Sequence, residues 1–167
     1  MAEVLLISRT DLVKYTATNG NVDTDKFIQF IKIAQDIHIQ NYIGTLLLNK
    51  IKTDIAASNL QEPYLSLTTT YLKPMLIHWA MVEFLPFSAY TIANKGVYKH
   101  SSENSTNVEK NEIDFLIEKQ RDLAQHYTQR FIDYICANSG DFPEYNQATN
   151  NGEVDPSSNN FFGGWVL

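Results

Sequence analysis

Apolar residues recur at helical spacing along most of the chain, and polar or Gly/Pro-bearing stretches cut that pattern into separate elements. "SRTDLVKY" reads as a short helical piece, with Ser8 or Thr10 as its cap and Leu12 and Val13 turned inward. The stretch Thr18 to Asn21 then ends it, because Asn-Gly favours a turn. A first long helix starts from Asp23 or Thr24. Phe27, Phe30, Ile31, Ala34 and Ile37 share its broad inner face, and His38 lies at the edge of that face as a polar member. Gly44 is placed to stop this helix. Thr45 is placed to cap the next at once, with Leu47, Leu48, Ile51 and Ile55 as its stripe, and Asn59 and Pro63 end that unit.

A third helical region begins near Pro63 and is expected to run past Ala93. Leu65, Leu72, Leu76, Trp79, Val82 and Phe84 to Phe87 make it apolar on nearly every side, the pattern of a central helix. Pro74 and Pro86 must kink or split it, since each lacks a backbone donor and clashes one turn back. Asn94 to Asn107 is a polar connection in which Val97 and Tyr98 suit a short strand. Ser105 or Asn107 caps a last helix, whose stripe runs through Ile113, Leu116, Gln120, Leu123, Tyr127, Phe131, Tyr134 and Ile135 to about Asn138. Some thirty residues at helical rise make a rod of roughly 45 Å. Gly140 and Pro143 stop it, and Gln147 to Asn160 is polar and extended. The expected fold is all-α: a bundle of about four helices over residues 1–145, followed by an extended C-terminal arm over residues 146–167.

Composition narrows the function. The 167 residues carry a net charge of −6, unevenly placed: residues 1–100 hold 9 Lys/Arg and 8 Asp/Glu, the remainder 4 and 11. No basic patch suits phosphate neutralisation, so specific nucleic-acid binding is not expected. No Lys/Arg run suits an anionic membrane either. The apolar stretch from Met75 to Ala93 contains His78, Glu83 and Pro86, which favours a buried core helix over a membrane span. The N-terminus has no basic region before its apolar run, unlike a signal peptide. The single cysteine, Cys136, cannot form an internal disulfide and is expected to be a buried small hydrophobe.

Catalytic chemistry is hard to assemble from these residues. His38, His78, His100 and His126 lie apart, without metal-ligand spacing. Asp122 and His126 form an i, i+4 surface pair, and His78 is expected as a hydrogen-bonded packing histidine. Gly163-Gly164 lacks the flanking strand and helix of a phosphate loop, and the Asn104-Ser105-Thr106 triplet has no secretory context. No cofactor, metal or enzymatic activity is therefore expected. Glu83, set among Val82, Phe84 and Leu85, calls for a cationic partner, and Arg130 on the long helix is the candidate.

The stretch "NNFFGGWVL" places Phe161, Phe162, Trp165, Val166 and Leu167 after a polar run, with Gly163 and Gly164 between the aromatic groups. Such a cluster marks a contact site. The expectation is an anchor that docks on a neighbouring subunit, on another component or on its own bundle. Its tether, Gln147 to Asn160, spans up to roughly 45 Å when extended.

"ISRTDLVKYTATNGNVDTDKFIQFIKIAQDIHIQNYIGTLLLNKI", "YLKPMLIHWAMVEFLPFSAYTIANKGV", "SSENS", "DFPEYN" and the closing "NNFFGGWVL" resemble a family of virion proteins in crAss-like phages of gut Bacteroidetes. More distantly, Asp23 to Ile55, with Ile43-Gly44 at the join, is similar to the helix–"IG"–helix outline of head–tail connector (adaptor) proteins of tailed phages. The resemblance implies a structural subunit in the virion neck, made in the host bacterial cytoplasm. It implies a homo-oligomeric ring of about twelve copies beneath the portal, whose channel passes genomic DNA without specific binding. The implied partners are further copies, the portal and the next tail or ring protein. A second expectation, from the residues alone, is a monomeric helical binding or regulatory protein whose tail is a peptide ligand.

Overall fold

The computed structural model describes residues 3–18, 24–88, 90–93, 96–99, 110–147 and 153–157. The architecture is an all-α helical bundle built around α5 (Lys73–Phe84). Every residue of α5 from Met75 to Val82 is buried, as is Phe84, so this helix needs cover on all sides. That cover comes chiefly from α6 (Lys110–Ala137) and α2 (Thr24–Ala34), with α1 (Arg9–Tyr15) against it as well. Phe84 meets the rings of Phe27 and Phe30 from α2, at centroid distances of 4.6 and 5.6 Å. α1 opens on a complete capping box: the Asp11 amide donates to Ser8 Oγ, while the Ser8 amide donates to the Asp11 carboxylate.

α2 does not end at Ala34. It passes through a wide π turn, Gln35–Ile39, in which the Gln40 amide bonds the Gln35 carbonyl five residues back, and then enters α3 (Gln40–Ala56). The wide turn adds a residue to the repeat, so the buried face moves on: Gln35, Ile39, Tyr42 and Ile43 point inward. Ile37, expected on that face, is exposed instead. The buried Gln35 side chain holds the N-terminal segment, accepting from the Leu6 amide at 2.9 Å and donating to the Val4 carbonyl at 3.1 Å. A second wide turn, Leu67–Leu72, joins α4 (Tyr64–Ser66) to α5 just before Pro74, where an α-helical ladder would call for the donor that proline lacks.

The third helical region stops earlier than the pattern suggested. Pro86 lies in a 3₁₀ turn, Leu85–Phe87, and the chain then forms an antiparallel hairpin of β1 (Tyr90–Ala93) and β2 (Gly96–Lys99), pairing Ile92 with Val97. Val97 and Tyr98 are thus in a strand, and Tyr90 to Ala93 are not helical. On α6 the buried residues lie in the C-terminal half, at Ala124, Thr128, Phe131, Ile132 and Ile135, and of the expected stripe only Phe131 and Ile135 are among them. Leu116 and Leu123 are exposed, and so is Phe115. Cys136 is exposed rather than buried, because Ile135 and not its neighbour takes the inward position. A 3₁₀ turn (Ser139–Asp141) leads to α7 (Pro143–Asn146), which packs against α3 beside the fully buried Phe142. The proposed caps Asp23, Ser105 and Asn107 lie outside the described residues.

α3 closes with Ser58 in the left-handed region, φ 53°. The Asn59 amide reaches back to the Asp54 carbonyl and the Ser58 amide to that of Ile55, the pairing of a Schellman cap. That position favours glycine. Ser58→Gly should therefore stabilise the fold by about 0.5–1 kcal/mol, the relief of left-handed strain less glycine's entropic disadvantage. A lower urea midpoint for the variant would refute it.

Candidate interaction sites

The most specific feature is a break inside α3. Gly44 takes φ 77° and ψ 162°, a conformation in effect reserved for glycine, so the helix through Ile43 stops and a new one begins at Thr45. In an unbroken helix the Thr45 amide would bond the Asn41 carbonyl, four residues back. Here that pair is separated, and an extended segment, residues 153–157, completes both halves. The Thr45 amide donates to the Val154 carbonyl at 2.9 Å, and the Ser157 amide donates to the Asn41 carbonyl at 2.9 Å. Thr45 Oγ1 also accepts from the Val154 amide at 3.2 Å and from Gln40 Nε2 at 2.9 Å. Pro156 lies directly on Gly44: a Cβ there would stand 2.7 Å from Pro156 Cδ. Glu153, Val154 and Asp155 are exposed, and the contacts at the break are made by the segment's main chain and its proline, as in a bound peptide.

Two polar pairs sit where α5 needs partners. His38, carried on the first wide turn, stacks on Trp79 at 3.9 Å, and its Nε2 lies 2.9 Å from Glu83 Oε1. A carboxylate only accepts, so the ring nitrogen is the donor. Glu83 is thus bound to His38 and not to Arg130, and its side chain is 30% exposed rather than buried. The expected pairing fails because the wide turn brings His38 against α5, while the Arg130 guanidinium lies 5.7 Å from the rings of both Tyr71 and Tyr127. On the opposite side, His78 Nδ1 lies 2.8 Å from Gln120 Oε1, and the His78 ring stacks on Tyr127. This explains the one polar member of the α6 stripe. Trp79 Nε1 donates to Thr128 Oγ1 at 3.1 Å. Asp122 approaches Lys119 at 3.8 Å, an exposed contact in place of the expected one with His126.

A cleft of about 440 Å³ opens between α1, the start of α5 and α6, lined among others by Asp11, Tyr15, Lys73, His78, Tyr127 and Arg130. Burial raises the Asp11 carboxyl, but hydrogen bonds from Ser8 and the charges of Lys73 and Lys14 outweigh it and leave it below its usual range. Tyr64, at the far end of the bundle, donates to Glu144 Oε2 at 2.7 Å, tying α4 to α7; burial and that carboxylate push its hydroxyl up to about 12. Among the described residues no group of three His, Cys, Asp or Glu side chains converges as a metal site would require, and no helix is long and apolar enough to cross a membrane. The proposed anchor, Phe161, Phe162, Gly163, Gly164, Trp165, Val166 and Leu167, lies outside the described residues, as do His100 and the Asn104-Ser105-Thr106 triplet. The strap on Gly44 escaped the sequence reading. Pro156 within a polar run was its only local signal.

These features define a helical-bundle protein whose best-formed site binds an extended stretch of polypeptide. The chain belongs to DUF6712, a family of unknown function, whose model matches residues 39–154. No curated protein and no solved structure matches it.

Two outcomes follow from this geometry. Gly44→Ala forces a Cβ into the Pro156 ring and a non-glycine residue into a glycine-only conformation, which should destabilise the chain by about 2 kcal/mol or more. The Thr45 amide should then exchange with solvent faster, measured by hydrogen exchange; unchanged protection would mean that the strap does not depend on the break. The second outcome concerns His38. Burial holds its pKa below the ordinary 6.5, only partly offset by Glu83, with the Arg121 charge adding to the lowering. The unfolded chain thus binds this proton at higher pH than the folded one. The stabilisation is complete above about pH 6.5 and is lost as pH falls through the lowered folded value. His38→Gln keeps a donor for Glu83 but cannot titrate, so urea midpoints should fall less between about pH 7.5 and pH 5.5 than in the parent chain.

Proposed function

We propose that the chain is a structural virion subunit, a head-to-tail connector that closes into a ring of about twelve copies beneath the portal and joins capsid to tail. The observation that carries this reading is the strap: residues 153–157 run extended over the bundle surface and are held by main-chain bonds rather than by the core. A ring subunit needs such an arm to reach its neighbours. The resemblance of the sequence to phage connector proteins supports the same reading. The exposed apolar residues Phe115, Leu116 and Leu123 on the N-terminal half of α6 suit contacts between copies. Glu112, Glu118, Asp122 and Asp133, all exposed on the same helix, suit a channel wall along which DNA slides, because like charge repels phosphates. In this reading Phe161, Phe162, Trp165, Val166 and Leu167 anchor the arm on an adjoining component, in the neck of the virion.

Stoichiometric analysis of purified virions tests the proposal. The chain should be present at ring-like copy number and lie at one axial level between portal and tail in a density map. Deleting residues 161–167 should leave a folded bundle that fails to incorporate. Absence of the chain from virions, together with monomeric behaviour in light scattering, would instead favour the monomeric binding protein.

A further inference from the structure

We propose that the break at Gly44 is a receptor site for the extended segment Val154–Ser157, filled by the chain's own segment in the isolated subunit and by the segment of a second copy when copies meet. The setting, copies held in contact, rests on the ring reading; the recognition itself rests on the geometry of the break.

A helix end exposes amides and carbonyls that have no partner within the helix. At Gly44 the two groups of one interrupted helical hydrogen bond, the Asn41 carbonyl and the Thr45 amide, face outward together. The segment meets these two groups with an acceptor at Val154 and a donor three residues on, at Ser157, each at 2.9 Å, and the Val154 amide donates in addition to Thr45 Oγ1 at 3.2 Å. Between them Pro156 occupies the space left by the missing Cβ of Gly44. The register is therefore specific: a carbonyl, then a proline two residues on, then an amide. This is recognition of a short extended peptide by main-chain bonds and one ring, of the same kind as strand addition to a sheet edge.

Nothing in these contacts depends on which copy provides the segment. Six residues, 147–152, separate it from the end of α7, and they span at most roughly 20 Å. That tether gives the chain's own segment an effective concentration of order millimolar. Copies packed side by side reach similar local concentrations, and exchange of an identical element between them then requires no new contact. An exchanged strap would link each subunit to the next through residues that already fit one another.

The test uses full-length chains with Cys136→Ser, because Cys136 is exposed and would react. One chain carries Asn41→Cys, a second Ser157→Cys, and a third both. A short bismaleimide should link the double variant within one chain at low concentration. In concentrated mixtures of the two single variants, links between chains should exceed by at least tenfold those formed when Lys119→Cys, on the exposed face of α6, replaces Ser157→Cys. Pro156→Ala, with its helix content checked by circular dichroism, should reduce both kinds of link together. Links confined to single chains at every concentration would overturn the exchange. Links between chains that persist unchanged with Pro156→Ala would overturn recognition at the break. Light scattering of the same samples separates this inference from the ring: a large assembly with only intrachain links keeps the ring and removes the exchange, whereas interchain links in particles no larger than a dimer do the reverse.

Discussion

The bundle is organised by the requirement that α5 be covered on every side. Eight consecutive residues, Met75 to Val82, are buried, and no face of this helix is left for solvent. Other helices can meet that demand only if the polar groups α5 carries inward find partners, since an unsatisfied buried donor or acceptor costs about 1–3 kcal/mol. The partners come from different elements. Gln120 and Thr128 on α6 serve the buried His78 and Trp79, while His38 on the first wide turn binds the partly exposed Glu83. α6 and the α2–α3 segment are thus registered against α5 by directional bonds as well as by apolar packing.

The wide turn and the break at Gly44 belong to the same segment. The turn at Gln35–Ile39 shifts the buried face by one residue, which brings Gln35 to the N-terminal segment, His38 to Trp79 and Glu83, and Ile39, Tyr42 and Ile43 into the core. Five residues beyond the turn the helix breaks, and the groups released there are taken up by residues 153–157. The stretch Gln35 to Thr45 thereby holds the N-terminal segment, the central helix and the strap.

Much of the fold was legible in the sequence, and each failure has its own physical origin. The helices, the Ser8 cap, the all-round burial of α5 and the stop at Gly44 followed by a start at Thr45 all come from local rules of spacing and capping. What a fixed helical period cannot show is a change of period. Ile37 was therefore assigned inward, and Glu83 was given Arg130 instead of His38. The long α6 stripe was read correctly as helical, but amphipathic spacing does not say whether a partner lies opposite, and at Leu116 and Leu123 none covers it within the described chain. The strap was invisible for another reason: its residues look like a polar linker, and its receptor lies far away in the sequence.

That separation has a kinetic consequence. Val154 and Thr45 are 109 residues apart, whereas α2, α3 and the wide turn between them form from neighbours in sequence. Contacts of long sequence separation form late, because loop closure must precede them. During synthesis the receptor half of the latch is translated early, and its ligand emerges only after the bundle helices. For that interval the Asn41 carbonyl and the Thr45 amide depend on water. Closing the latch is thus a late event that reports a chain translated through Ser157.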